Sequence, residues 1–433
     1  VTANNRFVAG AGMHVLPVVT EDPNGTSIVR TPNYFSPVLN KNYLATIDSV
    51  ITRSIAEKAF PGCQMVVYKD DKLIYRESFG TATFESTQKV QNEYLYDLAS
   101  ITKVAATTLC AMKLYEEGRL NMNARISEYL PQAKHSNKKK IIVRDLLLHQ
   151  AGLPPYVPFH LRWTSEDGTW NPDMLSNTSS KKFPNKVADN CFAAYDVPDS
   201  IWQVIYNCPL KTKGKYVYSD FDMYFMRAIC AAILDTISPE EYVRRNFYQP
   251  LHLNSITYNP LQKGISKQNI MPTEMDQRFR HQLIQGYVHD QGAALCGGVQ
   301  GHAGLFANAS DLAKLFAMLE QNGQWEGVQY LKPSTVRYFT SKQSKVSRRG
   351  LGFDKQSPQR ITDSPTCPSA SIATFGHTGF TGTSVWADPV SGLTFVFLSN
   401  RVCPNANNKK IIELGVRTNL QELFYQALDE EKH

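Results

Sequence analysis

Tyr96-Asp-Leu-Ala-Ser-Ile-Thr-Lys-Val-Ala-Ala-Thr-Thr-Leu-Cys-Ala-Met-Lys-Leu-Tyr-Glu-Glu-Gly118 reads as a loop running into an apolar helix that a glycine stops. Ser100 and Lys103 fall in the first turn. Residues three apart on a helix share a face, with Cβ atoms about 5–6 Å apart, so the Lys103 nitrogen can reach the Ser100 hydroxyl. That puts a nucleophile beside a possible base. Val104, Leu109, Met112 and Leu114, with the alanines between them, make the helix almost wholly apolar, as expected of one buried at a domain centre. A lysine there must be paired or have its pKa lowered by desolvation. Ser-x-x-Lys alone is a weak signal, because it recurs in polar stretches at Ser86 to Lys89, Ser136 to Lys139 and Ser179 to Lys182. The plainer reading is a helix start whose lysine keeps its head in water.

Outward from this helix the chain shows a pattern built from both ends. Leu44, Ile47, Ile51 and Ile55 repeat at helical spacing up to Pro61-Gly62, and two β-rich runs, 64–69 and 72–79, flank Asp70-Asp71 as a hairpin. Toward the C-terminus, 383–387 and 393–399 read as strands across a turn, and 409–428 as an amphipathic helix. Between them lie helical patterns at 141–152, 219–237 and 308–323, and a serine-capped start at Ser238-Pro-Glu-Glu241. His149, in the first of these, reads as a polar anchor for backbone. The stretch from Pro154 to about Cys208 is irregular and aromatic, the format of a functional loop or lid. Helix-strand-strand at the start and strand-strand-helix at the end predict an α+β (α/β) fold: one antiparallel sheet covered by the terminal helices, beside a mostly helical lobe. The expected division is a tail and linker at 1–40 and one domain at 41–433, with the sheet from 41–80 and 370–433 and the lobe and insertions from 81–369.

Composition narrows the function. The 433 residues are 42% hydrophobic, enough for a large core, and the net charge of +7 comes from 46 basic against 39 acidic residues. The tight basic run Lys138-Lys139-Lys140 is short and has no interleaved aromatics, so nucleic acid is not expected as a partner. No apolar run approaches the roughly 18 residues that a membrane helix needs. Eight cysteines show neither Cys-x-x-Cys nor zinc-finger spacing. Cys110 and Cys230 read as packed thiols, whereas Cys191 with Cys208, or Cys367 with Cys403, are pairs that an oxidising compartment could bridge. His281, His289, Asp290 and His302 are a candidate metal set but lack the His-Glu-x-x-His spacing; no metal or cofactor is expected.

Two further stretches carry chemistry. Tyr218-Ser219-Asp220 opens a helix, where the positive end of the helix dipole is expected to lower the Tyr218 pKa. Gly376-His377-Thr378-Gly379-Phe380-Thr381-Gly382 leads into a strand, with small residues that let the backbone approach a ligand. Taken in order with Ser100 and Lys103, these resemble the three motifs of the serine β-lactamase and penicillin-binding protein superfamily. The nearest type is its branch of class C β-lactamases, D-Ala-D-Ala peptidases and esterases. The resemblance covers about residues 42 to 430 and takes in Leu146-Leu-Leu-His-Gln-Ala-Gly-Leu, Gly286-Tyr-Val-His-Asp and Gly301-His-Ala-Gly-Leu-Phe.

The resemblance implies a β-lactamase/DD-peptidase fold with Ser100 as the acylated nucleophile. Lys103 and Tyr218 would share the proton transfers, and His377 would bond a substrate carboxylate or relay protons. Asp220, Thr378, Gly379 and Phe380 would contact substrate, with the N–H groups of Ser100 and Phe380 as oxyanion hole. Two departures matter. The family's Tyr-x-Asn is here Tyr-Ser-Asp, and an ionised Asp220 only accepts hydrogen bonds; the third motif carries histidine where lysine is common, which leans away from an efficient β-lactamase. Val1 to Met13 resembles the end of a family 3 glycoside hydrolase, which implies a linked N-acetylglucosaminidase and a bacterial, periplasmic or cell-envelope location. The expected activity is cleavage of an amide in peptidoglycan-derived muropeptides, either a D-Ala-D-Ala bond or the muramyl to L-alanine amide. The alternatives are a carboxylesterase or weak β-lactamase, or a catalytically silent penicillin- or peptidoglycan-binding module.

Overall fold

A seven-stranded antiparallel sheet joins the two ends of the chain. Its order is Asp354–Lys355, Phe375–Thr378, Ser384–Asp388, Leu393–Ser399, Gly62–Lys69, Lys72–Gly80 and Tyr34–Phe35. The seam between the ends is the pairing of Leu393–Ser399 with Gly62–Lys69, in register from Leu393 opposite Lys69 to Ser399 opposite Cys63. The computed structural model describes residues 19–21, 27–29, 34–35, 39, 41–357 and 364–430. The glycosidase-like run from Val1 to Met13 lies outside the described residues. The stretch expected to be linker contains the edge strand Tyr34–Phe35, paired with Tyr75 and Arg76.

Side chains alternate across a strand, and here both faces are buried. Met65, Val67, Phe395 and Phe397 face the terminal helices Lys41–Ala56 and Val416–Glu430, meeting Ile47, Ile51, Leu420 and Phe424. Val66, Val396 and Leu398 face the other way, into the core that holds the Ser100 helix and the helix Ala309–Glu320. The helix expected at 409–428 is broken into Lys410–Glu413 and Val416–Glu430 by Gly415, whose φ of +58° suits glycine.

The helical lobe follows the sequence reading except in the stretch 154–208. Asp220–Leu234 is capped by Ser219, Pro239–Val243 by Ser238 and Ala309–Glu320 by Asn308, each side chain accepting from a backbone N–H in the first turn. The stretch 154–208 is less irregular than expected. It forms a small sheet from Leu175–Ser176, Asn185–Ala188 and Cys191–Ala193, then a helix, Val197–Asn207, whose buried Val197, Ile201 and Ile205 keep helical spacing among the aromatics. All eight cysteines are free thiols. Cys191 and Cys208, like Cys367 and Cys403, are held in the core as packed residues, and burial pushes their thiol pKa values up.

Candidate active site

Ser100 is positioned by a short strand that stops abruptly. Tyr96–Asp97 pairs with Leu305–Ala307, and the chain then turns through Ala99 at φ +45° into a 3₁₀ turn, Ala99–Ile101. Asp97 organises that turn: its carboxylate accepts from the N–H of Ala99 at 2.8 Å and of His289 at 2.6 Å. Lys103–Thr107 follows in π-helical geometry before the α-helix Thr108–Glu116 begins. The expected uniform helix is thus wound tightly at Ser100 and loosely at Lys103, a local irregularity often found at functional sites.

Lys103 is fully buried and surrounded by acceptors. Its Nζ lies 2.9 Å from Ser100 Oγ, 2.7 Å from Asp220 Oδ1 and 3.3 Å from the His302 carbonyl oxygen. Burial pulls its pKa down, but Asp220 and Tyr218 outweigh that and leave it raised. Lys103 is therefore a paired ammonium that donates to Ser100, and of the two options open to a buried lysine the pairing prevails. Asp220, expected to meet substrate, has its Oδ1 committed to this ion pair.

Tyr218 precedes the capping serine and is half-buried, its ring packed among charged and aromatic neighbours. Burial raises its pKa, and the Lys103 cation, which opposes burial most strongly, does not reverse the shift. This overturns the expectation that the helix start would lower it: desolvation of a phenolate outweighs the dipole. The Lys103 ammonium sits 5.0 Å from the ring centroid, and the rings of His149 and His377 approach at 4.6 and 5.8 Å. His149 does hold backbone, its carbonyl accepting from Val217 N–H and its Nδ1 lying 3.3 Å from Ser219 N. The same Nδ1 meets Asp222 Oδ2 at 2.7 Å. Burial lowers the His149 pKa and raises that of Asp222, so the pair is neutral.

The third motif is bound to the nucleophile turn. Thr381 and Thr383 donate to the carbonyls of Asp97 and Leu98, and Gly379 is so close that a Cβ there would lie 2.5 Å from Leu98 O. His377 Nδ1 is 2.7 Å from the Thr378 carbonyl, an acceptor, so Nδ1 carries the proton and Nε2 is left as a bare lone pair. Nε2 is buried without a partner among the described residues. Burial, with Arg349 and Lys103, depresses the His377 pKa to about 3. A neutral acceptor repels a carboxylate, so of the two roles expected for His377, bonding a substrate carboxylate or relaying protons, the first does not fit this tautomer. Phe380 is 53% exposed, its ring stacked on His289 and lying 4.6 Å from the Arg401 guanidinium.

The candidate metal residues disperse. His281 meets the carbonyls of Gln277 and Gly168, His289 meets Glu274, and His302 meets Asp290 at 3.0 Å. Asp220, Asp290 and His302 do converge, with one ligand atom each within 4.8 Å of one another. In this structure their atoms are engaged with Lys103 and with each other. Sequence reasoning missed Asp97, Asp222 and Arg349, none of which lies in the three motifs. The signal for Asp97 was its place directly before the nucleophile turn; nothing local marks the other two.

Comparison with known proteins agrees with this geometry. The chain is 31% identical over 408 residues to the Escherichia coli (strain K12) protein named "Putative D-alanyl-D-alanine carboxypeptidase", covering 87% of each. It is 30% identical over 385 residues to the N-acetylmuramyl-L-alanine amidase of Bacillus subtilis (strain 168), covering 83% of this chain and 81% of that one. The crystal structure of a penicillin-binding protein homologue from Caulobacter crescentus shares the fold, with a TM-score of 0.64 at 19% identity over 93% of this chain and all of the other. The family described as Beta-lactamase matches residues 47–418, and with its serine, lysine, tyrosine and histidine gathered at one point the chain belongs to that family.

Proposed function

We propose that this domain is a serine hydrolase that cleaves the amide between a muramyl lactyl group and L-alanine in peptidoglycan fragments. The observation that carries the reading is Ser100 Oγ held 2.9 Å from a lysine that is itself fixed by Asp220. Ser100 attacks the amide carbonyl as its proton passes to the phenolate form of Tyr218, which has first given its own proton to solvent and which the Lys103 ammonium stabilises. The tetrahedral oxyanion is met by the N–H groups of Ser100 and Phe380, of which the Phe380 N–H makes no other hydrogen bond among the described residues. The protonated Tyr218 then returns a proton to the leaving amine, giving an acyl-enzyme that water hydrolyses.

The choice of amide follows from what the site offers. Asp220 and Asp290, both partly exposed, bring acceptor oxygens to one place, which suit sugar hydroxyls and amide N–H groups. A terminal D-alanine carboxylate needs a free and accessible cation; Lys103 is engaged with Asp220 and Arg401 with the carbonyls of Ala406 and Asn408, while Arg349 is buried beside Asp354. The relative named as a muramyl-L-alanine amidase supports the same choice. A D-Ala-D-Ala carboxypeptidase is the second reading, favoured by the name of the Escherichia coli relative. Such substrates belong to the cell envelope, and a glycosidase joined ahead of Met13 would act on the same fragments.

The test is incubation with muramyl peptides, D-Ala-D-Ala pentapeptide, nitrocefin and short acyl esters, with products identified by mass. Release of muramic sugar and intact peptide is the expected result. Loss of one alanine selects the carboxypeptidase, and turnover of esters or nitrocefin alone removes peptidoglycan from consideration. Ser100→Ala should abolish turnover and fluorophosphonate labelling while leaving the melting temperature nearly unchanged; labelling that survives would rule out Ser100.

A further inference from the structure

Arg349 belongs to none of the three motifs, yet its guanidinium carbon lies 5.3 Å from the centroid of the Tyr218 ring. It is buried, with Nε 3.3 Å from the Tyr216 hydroxyl and Nη2 3.6 Å from Asp354. Nη1 is buried with no hydrogen-bond partner among the described residues. A buried, unpaired N–H on a cation is costly, and a residue serving only to close its loop has no need of one. The loop is already closed: Arg348 grips Asp354 through both oxygens at 2.7 and 2.9 Å. Since Nη1 has no exposed surface, a substrate carboxylate does not reach it, and the charge acts on what lies beside it.

We infer that Arg349 is a positioning residue for the proposed proton acceptor, supplying from outside the motifs the second positive charge beside the Tyr218 ring. This rests on the reading of Tyr218 as that acceptor. Where the third motif of the family has lysine, this chain has His377, whose neutral ring brings no charge. Arg349 takes that place from a different segment.

The surroundings of Tyr218 support the assignment element by element. The nucleophile helix contributes Lys103, matched by Asp220 from the helix that Tyr218 precedes. The turn after Val143–Leu147 contributes His149 with Asp222 behind it, a neutral pair, and the strand Phe375–Thr378 contributes neutral His377. The loop before Asp354–Lys355 contributes Arg348 and Arg349 against Asp354. Two arginines facing one carboxylate leave a single net positive charge beside the phenol, and Arg349 is the arginine nearer to it. Its charge lowers the Tyr218 pKa against the larger effect of burial.

The test measures the rate at which a fluorophosphonate probe labels Ser100 as a function of pH, which needs no knowledge of the natural substrate. In that step the Oγ–P bond forms, fluoride leaves and the hydroxyl proton goes to Tyr218. For Arg349→Met the rising limb should move to higher pH by about one unit or more, so that labelling at a fixed pH below it slows about tenfold. Arg349→Lys should restore part of the shift, and Arg349→Gln, a polar and less bulky change, should reproduce that of Met. A lower melting temperature with an unmoved pH profile would mean a merely structural role and would overturn the inference. Tyr218→Phe separates the two levels of the argument. If it labels as fast as the unmutated protein, Tyr218 is not the acceptor and both readings fall. If it is silent while the Arg349 variants keep the original profile, only the role of Arg349 falls.

Discussion

Asp220 is the residue whose identity most changes the chemistry of this site. With asparagine in its place, as in the family pattern, Lys103 would face an amide; here it faces a carboxylate at 2.7 Å and stays an ammonium. The same carboxylate also raises the Tyr218 pKa. Asp220→Asn therefore lowers the pKa of both candidate bases, and the rising limb of the pH–rate profile should move to lower pH. Labelling of Ser100 across pH checks this, and an unmoved or alkaline-shifted limb refutes the electrostatic account. Tyr218→Phe removes the hydroxyl and leaves the ring packed on His149. Turnover should fall by roughly 10²- to 10⁴-fold, the usual scale for a lost acid or base, while KM changes little; steady-state kinetics on the identified substrate measures both.

Two elements meet at the nucleophile, and their fit depends on atoms that do no chemistry. The end of Phe375–Thr378 and the turn before Ser100 are joined by the Thr381 and Thr383 hydroxyls and by the absence of a side chain at Gly379. Gly379→Ala would push a methyl group into Leu98 O and Thr383 Oγ1. It should move the Phe380 N–H away from Ser100 and reduce Ser100 labelling by about 10²-fold, the scale for losing one oxyanion donor. Circular dichroism should remain unchanged. How legible such features are depends on their range. The Ser100–Lys103 pair is a matter of helical spacing, and the caps at Ser219, Ser238 and Asn308 are local hydrogen bonds, so the sequence pattern announces them. The β-rich runs 64–69 and 72–79 on either side of Asp70-Asp71 likewise announce a hairpin. Arg349 meets Tyr218 across more than a hundred residues, from a loop with no periodicity, and Asp222 meets His149 from the first turn of a helix more than seventy residues away. The direction of the Tyr218 shift was misread for the same reason: dipole and burial compete, and only the second depends on the whole packing around the ring.

At the scale of the molecule, the site is held by a sheet that neither end of the chain can form alone. Phe424, on the C-terminal helix, packs against Tyr75 of the N-terminal hairpin and Phe395 of the C-terminal one, with centroids at 5.3 and 5.9 Å. Phe424→Ala should cost about 3–5 kcal/mol of stability, seen as a lower midpoint in denaturant, although it touches nothing catalytic. Burial of His377 ties stability to pH as well. His377 has an unfolded pKa near 6.5 and a folded one of about 3, so in acid the unfolded chain takes up a proton that the folded protein refuses. The contribution of His377 to stability is therefore intact above about pH 6.5 and is lost progressively as the pH falls toward about 3. His149, buried and neutral as well, acts in the same direction. His377→Gln removes one of these protons, and its melting temperature should decline less steeply with acid over that window than that of the unmutated protein. Parallel declines in the two would show that His377 titrates alike in the folded and unfolded chains, contrary to the buried, neutral imidazole on which its role as an acceptor depends.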